Sequence, residues 1–75
     1  MTPTYPTTPP QPDPRLVRRI QKLAFRMIGT EPGRDFWLTR PNPELGGSSP
    51  ADLIAAGHGE VVERYLRANL NGVAG

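Results

Sequence analysis

The chain has 75 residues, no cysteine, one histidine and a formal net charge of +2. That length holds one domain at most. The absence of thiols excludes disulfides and thiolate metal sites, and a single histidine cannot build a zinc site unaided. No apolar run approaches the roughly 18–20 residues of a membrane span.

Six of the ten prolines fall within residues 1–14, separated mainly by threonines. The segment has no apolar periodicity and cannot bury enough surface to offset the entropy of ordering it. Residues 1–13 are therefore predicted to be a disordered tail that leans towards polyproline II. Its Pro-x-x-Pro spacings (Pro3/Pro6, Pro6/Pro9, Pro9/Pro12) suit either an SH3-like groove or a plain solvated tail. It has neither the apolar core nor the basic start of a signal peptide. Together with the lack of cysteine, this points to the cytoplasm.

Residues 14–75 remain for a fold. A domain that small buries only about 60 % of its unfolded surface. With disulfides and metal excluded, oligomerisation or a partner is the remaining support, and a homodimer is expected. The fold class predicted is all-α, a small bundle of about four helices.

The first helix is predicted over residues 14–28. Asp13 caps it and Pro14 takes the first helical position. Leu16, Ile20, Leu23 and Met27 recur at helical spacing, widened by Val17, Ala24 and Ile28. Gly29 supplies the stop. The opposite side carries Arg15, Arg18, Arg19, Lys22 and Arg26 as one continuous basic face.

A short second helix should start at Thr30-Glu31-Pro32 and end near Thr39, because residues before Pro41 avoid the helical region. Phe36, Trp37 and Leu38 are consecutive and cannot all face one side. Trp37 is the expected core anchor, with Phe36 or Leu38 partly exposed or in a partner contact. Asn42 precedes Pro43 and is pushed to an extended conformation. Its side chain suits either the backbone of its own loop or a partner. Gly46-Gly47 permits positive φ and a sharp reversal.

Ser49-Pro50-Ala51-Asp52 reads as a third helix start: a hydroxyl cap, a proline in the first turn and a carboxylate near the positive dipole end. Leu53, Ile54 and Ala56 are its apolar side, and Gly57-His58-Gly59 breaks it. A fourth helix is predicted over residues 59–70. Val62, Leu66 and Leu70 form its stripe, with Val61 and Tyr65 beside it. Asn71-Gly72 closes it.

Trp37-Leu38, Pro41-Asn42, Leu45-Gly46-Gly47, Pro50-Ala51-Asp52-Leu53, Gly57, Val62, Leu66 and Gly72 together resemble the C-terminal toxin-binding domain of the MbcA/ParS/Xre antitoxin family, which is associated with RES-domain toxins. The resemblance covers residues 36–73, and 16–73 with the first helix. It implies a small helical domain that dimerises and sequesters an NAD-degrading toxin by covering its active-site mouth. Carried over, Asn71, Gly72, Val73, Ala74 and Gly75 are the candidates for insertion into that mouth. Most of the motif has architectural explanations: Trp37 as core, Gly46 and Gly47 as turn, Ser49 and Pro50 as helix start. Family members also carry a helix-turn-helix domain that represses their own promoter. Only the proline-rich tail precedes the first helix here, so autoregulation is not carried over.

The basic face supports a second reading, a small DNA-associated regulator on the same dimeric scaffold, conceivably viral. Five cations on one face could neutralise phosphates. They could equally be a solvated helix face or pair with acidic groups of a toxin. No aromatic residue is interleaved with them for stacking on bases. Helices three and four do not make a convincing helix-turn-helix, because Glu60 and Glu63 would face phosphates. No enzyme is expected: His58 sits between two glycines without an orienting acid, Ser48 and Ser49 are explained by turn and cap chemistry, and no cofactor site is apparent.

Overall fold

The computed structural model describes residues 12–71. The order is α1 (Pro14–Ile28), α2 (Glu31–Thr39), a 3-10 turn (Pro43–Leu45), α3 (Pro50–Ala55) and α4 (Gly59–Leu70). All four helices lie where residue spacing and caps place them, and no strand occurs among the described residues. The tail predicted to be disordered lies outside the described residues, apart from its last two positions.

The caps work as their chemistry requires. The Asp13 carboxylate accepts the Arg15 backbone N–H at 2.9 Å. Thr30 Oγ1 accepts from the Gly33 N–H at 3.1 Å. Ser49 Oγ accepts from the Asp52 N–H at 3.0 Å, and Ser49 is itself 5 % exposed. A buried hydroxyl without such a bond would destabilise the fold by about 1–3 kcal/mol. Gly29 ends α1 in the left-handed conformation.

The core is thin. Ile20 and Ala24 of α1 meet Val62 and Leu66 of α4, and these four are the buried hydrophobics among the described residues. Leu16, Leu23, Met27, Trp37, Leu38, Leu53 and Ile54 pack around them, partly buried. Each fully buried Ile, Val or Leu contributes about 1.5–3 kcal/mol, so the domain has few large terms to set against chain entropy.

Two contacts fix how α1 and α4 lie. A Cβ on Gly59 would come 2.9 Å from Leu16 Cδ2, so α4 begins in close approach to the first turn of α1. Four residues on, Glu63 accepts from Arg19 Nε at 2.7 Å. Leu16 and Arg19, in the first half of α1, thus meet the first five residues of α4.

The anchor role expected for Trp37 needs adjustment. Its ring is half-buried at the edge of the core, stacked on Tyr65 with centroids 6.1 Å apart and an interplanar angle of 15°. Of its neighbours, Leu38 packs inwards and Phe36 is 60 % exposed, with the Arg40 guanidinium 5.3 Å from its ring centroid.

Candidate protein-binding surface

The run from Trp37 to Leu53 is a frame. The Asn42 carbonyl accepts from the backbone N–H groups of Leu45 and Gly47, both at 2.9 Å. The Asn42 side chain accepts from the Glu44 N–H at 2.9 Å, and its own N–H donates to the Ser48 carbonyl at 3.1 Å. Of its two sequence alternatives, Asn42 therefore serves its own loop. Gly46 and Gly47 have φ of 73° and 86°, a region that L side chains avoid. They turn the chain between the 3-10 helix and α3. Pro41 is exposed at the end of α2, Leu45 is half-buried, Pro50 is buried, and Leu53 packs on the core. Asp52 is exposed in the first turn of α3, Gly57 lies in the turn before α4, and Val62 and Leu66 are core.

One contact across this frame was not legible in sequence. The Tyr65 hydroxyl donates to the Glu44 carboxylate. That bond to a carboxylate, followed by partial burial, holds the phenol above its ordinary titration range. Asn69 donates to the Tyr65 carbonyl at 2.9 Å. Neither Glu44 nor Tyr65 lies in a local pattern that reports a partner 21 positions away.

The basic face divides into two parts. Arg19 turns towards α4 and pairs with Glu63, which Arg67 also reaches at 3.2 Å. The Arg19 bond, then the Arg67 bond, outweigh partial burial and lower the Glu63 carboxyl below its ordinary range. Arg15 stays at the exposed start of the helix. Arg18, Lys22 and Arg26 make no ion pair among the described residues. They line an open groove of about 440 Å³ together with Gln21, Phe25, Glu31 and Arg34. The sequence expectation that no aromatic interleaves the cations is corrected here. Phe25, 40 % exposed, lies between Lys22 and Arg26 in the chain and shares the groove.

Asn71 is exposed, and its N–H closes α4 on the Arg67 carbonyl at 2.9 Å. The other insertion candidates, Gly72, Val73, Ala74 and Gly75, lie outside the described residues.

No group of three or more His, Asp or Glu side chains that could hold a metal ion occurs among the described residues, and none of their helices is long and apolar enough to cross a membrane. His58 is exposed at the start of α4 and makes no side-chain cap.

No curated protein and no solved structure matches the chain. One family does match, over residues 23–71, from the middle of α1 to the close of α4. The match takes in the Trp37–Leu53 frame, the α4 core positions and, of the groove, Phe25, Arg26, Glu31 and Arg34 but not Arg18, Gln21 or Lys22. By that match the chain belongs to the family described as the antitoxin Xre/MbcA/ParS C-terminal toxin-binding domain, and its function is of the antitoxin type.

Proposed function

We propose that this protein neutralises a RES-type, NAD-degrading toxin by binding over its active-site mouth. The observation that carries the reading is the family match, which spans the frame and α4 as one unit. The sequence supports it, because residues 72–75, which follow Asn71 at the close of α4, are small and uncharged. A small neutral segment suits entry into a narrow polar cleft, and the bundle behind it covers the rim.

A homodimer belongs to the same proposal. The core has four fully buried hydrophobics among the described residues, while Phe36 and Val61 remain 60 % and 43 % exposed. Covering apolar surface of this kind stabilises a small domain at about 25 cal/mol per Å². Sedimentation at micromolar concentration tests this: a monomer throughout would remove the dimer. Co-expression with a RES-domain toxin, followed by co-purification, tests the toxin reading.

A DNA-associated role, in a bacterial or viral setting, is the second reading. Four cations of α1, Arg15, Arg18, Lys22 and Arg26, make no ion pair among the described residues and favour it. The neutralisation of Arg19 by Glu63, with Glu60 nearby in the same depression, limits the length of phosphate backbone the face could follow. Binding to duplex DNA that falls steeply with salt would support this reading.

A further inference from the structure

The groove between α1 and α2 combines two features that a solvated helix face does not need. The surface exposed by its lining is mostly apolar, and Phe25 is the one hydrophobic residue in that lining. Arginine and lysine stems add to such a floor while their charged ends stand at the rim. The rim is cationic: Arg18, Lys22 and Arg26 lack partners among the described residues, and Arg34 pairs only with the neighbouring, exposed Asp35. Glu31 is the single carboxylate lining the groove.

A polyanion such as a nucleic acid strand would meet Glu31 at one side and the carboxylates Glu60 and Glu63 beyond Arg19 at the other. A short peptide segment fits better. One apolar side chain would lie on Phe25, and flanking carboxylates would meet Arg18, Lys22 and Arg26. Arginine binds carboxylates in a planar fork and tolerates partial burial. Cation–carboxylate pairing around an apolar anchor is also a common way to fix register between proteins.

We propose that this groove is a docking site for an acidic peptide segment of a partner protein, with one apolar residue anchored on Phe25. Its lining residues fall between positions 18 and 34, separate in sequence from the insertion candidates at 72–75. The inference rests on the reading of the chain as a protein-binding module, not on the identity of the toxin.

The test uses the full chain and a short labelled peptide with one leucine flanked by aspartates, followed by fluorescence anisotropy. Binding is expected, and it should weaken about tenfold or more in K22E/R26E, where attraction becomes repulsion. Phe25→Ser should weaken it as well. Replacing the aspartates by asparagine, or the leucine by serine, should abolish it. R15E, outside the groove, should leave it nearly unchanged, and circular dichroism should show every variant folded.

Failure to bind the peptide, binding unaffected by K22E/R26E, an equal loss in R15E, or tighter binding of oligothymidylate than of the peptide would each overturn the proposal. Because no toxin is present, peptide binding without toxin binding would count against the toxin reading alone. An intact toxin complex without peptide binding would count against the groove alone.

Discussion

Trp37 of α2 and Tyr65 of α4 stack with ring centroids 6.1 Å apart, and the Tyr65 hydroxyl donates to Glu44 in the 3-10 turn. The pair ties three segments at one edge of a thin core. Trp37→Ala removes the stack and the half-buried indole together. Loss of about 3 kcal/mol is expected, the low end for aromatic truncation because the ring is not fully enclosed. Urea denaturation checks it, and a variant of unchanged midpoint would show that the stack carries no stability.

Tyr65→Phe keeps the ring and removes the bond to Glu44. A loss of about 1 kcal/mol is expected for one hydrogen bond to a charged acceptor at a partly exposed site. The phenol of the wild type should titrate above the ordinary tyrosine range, because Glu44 accepts its proton in a hydrogen bond. A group whose folded pKa is raised stabilises the fold below its unfolded pKa and loses that contribution as pH rises through the folded value. Wild-type stability should therefore fall above about pH 10, and Tyr65→Phe should lack that component.

Glu63 gives the opposite dependence. Its carboxyl is held low, first by the bond from Arg19. The stabilisation is present above the ordinary carboxyl value and is lost as pH falls through the depressed folded value. Glu63→Gln should flatten the fall of melting temperature in that acidic window, and the loss in the wild type should shrink at high salt. An identical acid profile for both proteins would show that the pair does not couple α1 to α4.

Among the described residues, α4 is closed by the Asn71 N–H on the Arg67 carbonyl, and deletion of Val73-Ala74-Gly75 leaves that bond in place. The melting temperature should stay within a degree or so, as for changes that touch no buried group. Protection of cells against a cognate toxin should fall. Unchanged protection would remove the insertion of these residues from the mechanism.

Much of the fold was legible because its boundaries are written in local chemistry. Asp13-Pro14, Thr30-Glu31-Pro32 and Ser49-Pro50 each carry a cap beside a proline, and Gly29 and Gly46-Gly47 carry the positive φ that ends or reverses an element. The 3-10 turn at Pro43–Leu45 was not expected, because one tight turn between two glycines and two prolines leaves no periodicity. The surface was less legible. The face of five cations followed from helical spacing, but its division did not, since Glu63 reaches Arg19 across 44 positions. Phe25 belonged to neither the apolar stripe nor the basic face read from spacing, and α2 brings Glu31 and Arg34 into one groove with it. Gly59 read as a helix breaker, whereas its missing side chain also lets α4 approach Leu16.

The most direct measurement is NAD hydrolysis by a purified RES-domain toxin titrated with this protein. The expected result is loss of hydrolysis that saturates near stoichiometric addition and is weakened by deletion of Val73-Ala74-Gly75. Full hydrolysis at large excess, with no complex on size-exclusion chromatography, would contradict neutralisation by active-site occlusion.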